Sequence, residues 1–536
     1  MDIFGATFFL WFSVAVNTVI VIAAESPALI LTPYIKRNET EKARNLSEVD
    51  KSLFLNVSSY SGFVTVDERY NSNMFFWYFP VAEGNVTESP WIIWLQGGPG
   101  ATSLAGVFDE IGPFEYNKEL KLRDASWGKG NSLLFIDNPV GTGFSFTNSD
   151  DGFIRDMNKC AEDLYSLLQQ FLTVFPELRK APLYIAGESY AGRYAPAFAY
   201  KILQTNNLQR DEPVNLQGLM LGNPVFNHKD IADYTKVYYE WGLIDSNGVQ
   251  IVKPLQDAYL KAITDNNYKL ASSLREQLLN ELENITLQKQ SYNILKDAIN
   301  VDQFISFVDR NEIKQAIHVG AIKFAFSNET VFEKLISDFL SNNTLEMETL
   351  LENYRILIYC GQLDAVAPCV LNAEGRRRSW AWSQRDKFMN APRTPVLYND
   401  SVAGYVKSGG GLTEVLVRGA GHLVPIDKPE QTQKLISYFV RNFNLPIPQN
   451  YNVYNSTSTK LQSGEVISNV SDIKTNETVT YGNAALIVSV IINAILMLII
   501  AGGVIYILRF KRRSTSYFYE VVDDNSSISD GVLTMT

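Results

Sequence analysis

Histidine and cysteine are scarce in this chain, with three of each among 536 residues. Three cysteines exclude a dense disulfide framework and allow at most one bridge. Cys360 and Cys369 are near neighbours in sequence and are the candidates for that bridge, while Cys160 is predicted to be a buried free thiol. Basic residues are also in deficit, since the formal net charge is −11. An acidic chain repels phosphate backbones, so the composition argues against a nucleic-acid partner.

Two long apolar runs stand at the ends of the chain. Residues 1–24 resemble a signal peptide, although Asp2 is acidic and no basic residue precedes the run, so a retained anchor is the alternative. Residues 484–508 are long enough for a transmembrane helix, with a buried soluble helix as the alternative. The basic cluster that follows predicts that the tail, 509–536, is cytosolic. Residues 451–483 are rich in Ser, Thr and Asn and are predicted to form a stalk.

Glycosylation sequons agree with this topology. Within residues 25–483, Asn-x-Ser/Thr occurs at Asn38, Asn45, Asn56, Asn85, Asn284, Asn328, Asn342, Asn399, Asn455, Asn469 and Asn476. Such acceptors are used in secreted chains. We therefore predict a single-pass type I membrane glycoprotein of the Golgi, endosome, lysosome or cell surface, whose residues 25–450 are lumenal or extracellular. The sequence does not indicate an oligomeric state.

Strands alternate with helices through the first half of the chain. A hairpin is predicted over 60–79, and continuous apolar runs predict buried strands at Trp91–Leu95 and Ser132–Ile136. Further strands are predicted at Leu183–Ala186, Leu219–Leu221, Arg355–Tyr359 and Glu414–Val417. Helical spacing covers 158–175 and 430–443. The segment of about 227–351 is predicted to be a largely helical insertion. This pattern indicates an α/β domain over 25–450, with a mostly parallel sheet covered by helices on both faces.

A serine stands at one predicted strand-to-helix turn. Residues 183–186 lead into Gly-Glu-Ser-Tyr-Ala-Gly at 187–192, and a helix follows. A nucleophile elbow requires small residues two positions before and after the serine, and here Gly187 and Ala191 occupy them. An ordinary turn with an incidental serine is the alternative. The spacing nominates Ser189 as a nucleophile.

The few histidines narrow the choice of a base for Ser189. In α/β-hydrolase order the acid follows the serine and the histidine comes last. Asp364 follows the strand 355–359, and His422 lies in a glycine-rich loop after the last predicted strand. His318 falls in a helical stretch and is predicted to be structural, and His228 is predicted to lie in a surface loop.

A Gly-Gly-Pro-Gly turn at 97–100 follows the strand Trp91–Leu95. Its amides could face a developing oxyanion, together with the amide of Tyr190, the residue after the nucleophile. A tight turn with no such role is the alternative.

Four motifs together resemble a known family, the serine carboxypeptidases of lysosomes, vacuoles and Golgi. They are W-L-Q-G-G-P-G at 94–100, D-N-P-V-G-T-G-F-S-F at 137–146, G-E-S-Y-A-G at 187–192 and G-A-G-H-L-V-P-I-D-K-P at 419–429. Gln96, Asn138 and the Asp364 segment are similar to the vitellogenic-like branch. The resemblance implies an α/β-hydrolase fold with a helical cap, followed here by the C-terminal transmembrane helix.

The resemblance also implies roles for individual residues. Ser189, Asp364 and His422 match the family's catalytic triad, and the amides of Gly98 and Tyr190 match its oxyanion donors.

The family also grips the terminal carboxylate of its substrate. Gln96, Gly97, Glu110 and Glu188 match the residues that do so, and Gln96 replaces the asparagine usual at its position. Two carboxyl groups beside a substrate carboxylate cannot all be ionised, so at least one keeps a proton and donates a hydrogen bond to the substrate. Binding is therefore expected to favour acidic pH.

The expected function is a carboxypeptidase acting on peptide or protein C-termini through an acyl-enzyme, without metal or organic cofactor. Other serine hydrolases or acyltransferases on the same fold are one alternative, and a non-catalytic membrane-anchored binding protein is another. The run Arg376–Arg378 is interpreted as a solvated face or a site of proteolytic nicking.

Overall fold

The structure is a computed structural model that describes residues 27–338 and 341–447. The predicted signal peptide (1–24), stalk (451–483), transmembrane helix (484–508) and cytosolic tail (509–536) lie outside these residues. None of the helices within 27–338 and 341–447 has the length and apolar character that crossing a bilayer requires.

A mixed ten-stranded sheet forms the centre of the described chain. Its strand order is β1-β2-β6-β3-β7-β8-β9-β12-β11-β10, and β4 and β5 form a separate hairpin. The strands are β1 Tyr60–Asp67, β2 Ser72–Phe79, β3 Trp91–Leu95, β4 Phe114–Asn117, β5 Glu119–Leu122, β6 Ser132–Ile136, β7 Leu183–Glu188, β8 Leu216–Gly222, β9 Arg355–Gly361, β10 Arg393–Tyr398, β11 Ser401–Gly409 and β12 Leu412–Val417. The six strands from β6 to β12 run parallel, and the outer strands are antiparallel. The predicted hairpin over 60–79 is confirmed as β1 and β2.

Helices cover both faces of the sheet. They are α1 Thr32–Lys36, α2 Thr40–Ser47, α3 Met157–Val174, α4 Ala191–Leu208, α5 Tyr234–Glu240, α6 Ser246–Thr264, α7 Tyr268–Thr286, α8 Ile305–Val308, α9 Asn311–Ala316, α10 Glu329–Lys334, α11 Thr344–Asn353, α12 Cys369–Ser379, α13 Arg385–Asn390, α14 Val424–Asp427 and α15 Pro429–Val440. Helices α5 to α11 lie between β8 and β9, where the sequence predicts the insertion.

Strand β3 shows why the inner strands are continuously apolar. Its side chains alternate between two hydrophobic cores, with Trp91, Ile93 and Leu95 in the core that includes α3 and α4. Ile92 and Trp94 enter the opposite core, which includes α15. Because helices remove both faces from water, an alternating polar pattern would bury unpaired polar groups. The predicted α/β-hydrolase architecture, a mostly parallel sheet between helical layers, is therefore present.

Two predictions about cysteine are confirmed. Cys360 and Cys369 form a disulfide, and Cys160 is a buried free thiol.

The interpretation of Arg376–Arg378 as a solvated face is wrong for its first member. Arg376 is buried, and its guanidinium donates two hydrogen bonds to Oε1 of Glu414 on β12, at 3.0 and 2.7 Å. Arg377 donates to the other carboxylate oxygen at 2.7 Å. Helix α12 packs on the sheet and turns Arg376 inward, which the charge run alone does not reveal.

The parallel strands bring the predicted site residues to one edge of the sheet. Gln96 follows β3, Ser189 follows β7, Asp364 follows β9 and His422 follows β12. Carboxyl ends of neighbouring parallel strands meet at the same edge, which is where open α/β sheets hold their ligands.

Candidate active site

Ser189 sits on a strained turn between β7 and α4. Its backbone has φ of +60°, a left-handed conformation that a non-glycine residue adopts at a cost. The turn is held from both sides, since Ser189 donates its N–H to Gly222 O at 2.9 Å and accepts from Val225 N–H at 2.9 Å. A Cβ on Gly187 would lie 2.6 Å from both Leu95 O and the Ala191 Cβ. Only glycine fits there, as a nucleophile elbow requires.

Asp364 and His422 form a buried pair. The Nδ1 of His422 lies 2.8 Å from Oδ2 of Asp364, and both residues are almost fully buried. The other carboxylate oxygen accepts the backbone N–H groups of Val366 at 2.7 Å and Ala367 at 3.0 Å. A carboxylate only accepts, so Nδ1 carries the proton and Nε2 has a free lone pair. The imidazole is thereby fixed in the tautomer that a general base needs.

Asn223 supports this pair and is not among the sequence-predicted residues. It follows β8, is fully buried, and donates Nδ2–H to Oδ2 of Asp364. Its own Oδ1 accepts Gly361 N–H at 3.2 Å, at the end of β9. Asn223 therefore ties the carboxylate to the neighbouring strand. Its position at the carboxyl end of an inner strand is the signal that could have found it.

The helical insertion also holds the pair in place. His422 donates its backbone N–H to Tyr292 O at 2.6 Å, and the two rings meet edge to face at 5.1 Å. The adjacent Ser291 accepts Ala365 N–H at 3.0 Å. One short segment of the insertion thus contacts the loops of both Asp364 and His422. It contains no motif, so sequence reasoning missed it.

The Gly-Gly-Pro-Gly loop packs directly on the serine turn. A Cβ on Gly97 would lie 2.7 Å from the amide nitrogen of Tyr190 and 2.8 Å from Cβ of Ser189. The next residue, Gly98, has φ of +110°, which favours glycine. The two predicted oxyanion amides, Gly98 and Tyr190, therefore belong to loops in contact beside the serine.

Asp137 anchors the residues that directly follow the Gly-Gly-Pro-Gly loop, and this gives the D-N-P-V-G motif a physical role. Its Oδ1 accepts Thr102 Oγ1–H at 2.6 Å and Ser103 N–H at 2.9 Å, and its Oδ2 accepts Phe144 N–H at 2.9 Å. Burial raises the pKa of Asp137 to about 6, against the lowering effect of these donors. In the sequence alone, this motif indicates only the family resemblance.

Gln96, Glu110 and Glu188 form a buried group beside the serine. Gln96 Nε2 donates to Oε1 of Glu110 at 3.1 Å and to Oε1 of Glu188 at 3.3 Å. The indole N–H of Trp94 donates to Gln96 Oε1 at 2.9 Å, which fixes the orientation of the amide. Oε2 of each glutamate is buried and accepts no N–H from the described residues, and the two carboxyl groups lie within hydrogen-bond range of each other.

The carboxyl groups of Glu110 and Glu188 would repel each other if both were ionised. Burial raises the pKa of Glu110 to about 7. The pKa of Glu188 is raised well above its usual value, first by burial and then by the charge of Glu110. Below neutral pH at least one of them keeps its proton, and that carboxyl can donate a hydrogen bond to an anion.

One cavity of about 720 Å³ joins these elements. The predicted site residues that line it are Gln96, Gly97, Gly98, Glu110, Glu188, Ser189, Tyr190 and His422. Asp364 lies behind His422, fully buried. The arrangement offers a hydroxyl, an oriented imidazole, two loop amides and a protonated carboxyl group around one volume.

The other two histidines differ in their placement. His318 follows α9 and its Nδ1 lies 3.0 Å from the Ser61 hydroxyl, outside the cavity, as a structural residue. The prediction of a surface loop for His228 is wrong, because His228 is buried and lines the cavity. Burial, with Arg275 of α7 and Arg193 of α4 nearby, lowers the pKa of His228 well below its usual value, and no local pattern in the sequence indicates this burial.

Comparison with known proteins decides the family. Residues 49–442 match the Peptidase S10 family, described as serine carboxypeptidase. The chain belongs to the serine carboxypeptidase family. It is 37% identical over 427 residues to the venom serine carboxypeptidase of Apis mellifera, covering 77% of this chain and 91% of the relative. It is 38% identical over 425 residues to the vitellogenic carboxypeptidase of Aedes aegypti, covering 77% and 89%.

The resemblance to the vitellogenic-like branch of the serine carboxypeptidases is thereby confirmed. Among solved structures, Kex1, a prohormone-processing carboxypeptidase from Saccharomyces cerevisiae, aligns with a TM-score of 0.66. That alignment covers 74% of this chain and 96% of Kex1, at 24% identity. At this identity the match supports the fold alone.

Proposed function

We propose that this serine carboxypeptidase family member releases the C-terminal residue of peptides through an acyl-enzyme. Ser189 is the nucleophile, His422 is the base and Asp364 orients it. The observation that carries the proposal is that Gln96, Glu110 and Glu188 line the same cavity as Ser189 and His422. A group that binds a free carboxylate beside a nucleophile selects the last peptide bond of a chain.

The chemistry follows from the hydrogen bonds. The Ser189 hydroxyl attacks the last peptide carbonyl while Nε2 of His422 takes its proton. The carbonyl oxygen becomes negative and is stabilised by the amides of Gly98 and Tyr190. His422 then gives the proton to the leaving amine, and the C-terminal amino acid departs. A water molecule, activated by the same imidazole, hydrolyses the acyl-enzyme.

The residues that bind the substrate carboxylate make the site prefer a free C-terminus to an amidated one. A protonated Glu110 or Glu188, together with Gln96, donates hydrogen bonds to the substrate carboxylate. The same donors form weaker hydrogen bonds with a neutral C-terminal amide. Ionisation of both glutamates places like charges beside the substrate carboxylate, so binding weakens as pH rises through about 7.

A peptide pair tests this proposal. One synthetic peptide is offered with a free and with an amidated C-terminus, and release of the last residue is followed by mass spectrometry at acidic pH. We expect release from the free acid only, and none from either peptide with Ser189→Ala. Equal release from the amide would contradict the carboxylate selection, and full activity of Ser189→Ala would contradict the mechanism.

We further propose that the domain is lumenal or extracellular and that residues 484–508, predicted from the sequence to be a transmembrane helix, anchor it. Support comes from the sequons in the described chain, because the side chains of Asn38, Asn45, Asn56, Asn85, Asn284, Asn342 and Asn399 are exposed. Asn328 is different, since its amide donates to Gly141 O at 2.7 Å. Glycosidase treatment should reduce the apparent mass of the native protein, with Asn328 unmodified in the peptide map.

A further inference from the structure

Another cavity, of about 120 Å³, lies between helix α12 and strands β9 to β12, and is called here the α12 cavity. None of the described residues that line it also lines the cavity of Ser189. The Cys360–Cys369 disulfide forms part of its apolar wall, together with Ile358 and Leu416. One water molecule needs a cavity of roughly 10–15 Å³, so the α12 cavity has room for a small ligand.

Positive charge dominates the lining of the α12 cavity. Its charged lining residues are the cations Arg376, Arg377, Arg393 and Lys407 and the carboxylates Glu374 and Glu414. Glu374 pairs with Lys236 of α5 at 3.4 Å. Glu414 accepts from Arg376 at one carboxylate oxygen and from Arg377 at the other, each at 2.7 Å. Both carboxylates are therefore engaged, and neither Arg393 nor Lys407 forms an ion pair with a carboxylate of the described residues.

The sheet places Arg393 and Lys407 directly opposite each other. Arg393 of β10 is in register with Lys407 of β11, which is in register with Glu414 of β12. Side chains that are directly opposite share one face of the sheet, with Cβ atoms about 5 Å apart, and like charges in such a pair are destabilising.

Arg377 adds a third positive charge to this pair. Burial lowers the pKa of Lys407, and the charge of Arg377 lowers it further. The pKa of Arg393 is lowered by the same two causes in the same order. Glu414 opposes both shifts without cancelling them. Arg377, Arg393 and Lys407 thus form a cluster of cations whose repulsion the described carboxylates do not offset.

This cluster keeps donors that a ligand can reach. Arg393 is exposed, and the side chains of Arg377 and Lys407 are half-buried. Two backbone carbonyls beside the end of α13 accept from Lys407, which fixes the ammonium and leaves one of its three hydrogens for a ligand. Arg377 donates to Glu414 from one terminal nitrogen only. Each of the three side chains can therefore donate to an anion in the cavity.

We propose that the α12 cavity binds a tetrahedral oxyanion, a sulfate or phosphate group held by Arg377, Arg393 and Lys407. The guanidinium fork matches the oxygen atoms of such a group, and the ammonium binds it as a compact charge. The whole chain carries a formal net charge of −11, so attraction for anions is confined to this cluster. A single small anionic group therefore fits better than a polyanion. The inference does not depend on the proposed function.

The experiment is calorimetric titration of the full-length protein with sodium sulfate, inorganic phosphate and phenyl phosphate. Sodium chloride at the same ionic strength is the salt control, because any salt screens surface charges. Arg393→Gln and Lys407→Met each remove one cation of the cluster. Arg210→Gln and Lys121→Met change exposed residues elsewhere and are the matched controls. A cooperative urea transition reports that each variant is folded.

We expect one saturable site for sulfate and phosphate that chloride does not reproduce. Arg393→Gln and Lys407→Met should each weaken binding about tenfold, as loss of one hydrogen bond to a charged group does. The two control variants should bind like the wild type. Tighter binding of phenyl phosphate would identify an ester as the ligand, and equal or weaker binding a free anion; either result supports the oxyanion site.

Two results would overturn the inference. One is the absence of saturable binding of both sulfate and phosphate to the wild type. The other is wild-type affinity in the folded variants Arg393→Gln and Lys407→Met, which would place the anion elsewhere.

Discussion

Replacing Glu110 by glutamine removes a proton-binding group from the cavity while keeping the shape of the side chain. Burial raises the pKa of this carboxyl from 4.5 to about 7. At about 1.4 kcal/mol for each pKa unit, that change corresponds to roughly 3 kcal/mol of free energy. The folded state binds the proton more tightly than the unfolded state does. This stabilisation is complete below about pH 4.5 and is lost as pH rises to about 7.

The Glu110→Gln variant should lack this loss. The assay is urea unfolding of the wild type and the variant at intervals between about pH 4.5 and pH 7.5. We expect the free energy of unfolding to decline less steeply in the variant, by roughly 3 kcal/mol over the range. Glu119→Gln, which changes an exposed glutamate on β5, is the control and should follow the wild type. Identical pH dependence in wild type and Glu110→Gln would refute the buried protonated carboxyl.

Three other changes follow from the structure. Asn223→Ala removes a donor to Asp364 and should lower kcat with a loss of about 1–3 kcal/mol of stability; unchanged kcat would contradict its role. Replacing Cys360 and Cys369 together by alanine should cost roughly 2–3 kcal/mol in urea unfolding through the short loop they close, and unchanged stability would contradict this. Gly187→Ala places a methyl 2.6 Å from Leu95 O, so serine labelling should be lost; full labelling would contradict the tight turn.

The strands and turns that carry the site could be predicted from the sequence because each of them is encoded by a few consecutive residues. The strands Trp91–Leu95 and Ser132–Ile136 begin and end where their apolar runs do. Gly187 and Ala191 mark the turn that carries Ser189. In such places the backbone geometry restricts which residue types fit, so the sequence shows a recognisable pattern.

The contacts that hold the site together could not be read in this way. Asn223 and Asp364 are 141 positions apart, and Tyr292 meets His422 from the middle of an insertion without a motif. His228 becomes buried only because other elements cover its loop. Partners chosen by tertiary packing leave no periodic or spacing signal in a single sequence.

Two strands at one side of the sheet, β10 and β11, were missed for a related reason. β10 and β11 have mixed burial: β10 begins with exposed Arg393, and exposed Tyr405 of β11 lies between buried Gly404 and Val406. Their pairing depends on β12, which is itself fixed by β9. Edge strands of this kind show a weak alternation that surface loops can imitate.

The most direct test of the account is where a fluorophosphonate attaches. Intact-mass and peptide mapping should find one adduct, on Ser189, and Ser189→Ala should acquire none. His422→Ala and Asp364→Asn should form the adduct far more slowly, because the hydroxyl then lacks its oriented base. An adduct on another serine, or labelling of Ser189 at the wild-type rate in His422→Ala, would contradict the assignment of Ser189, Asp364 and His422 as the catalytic group.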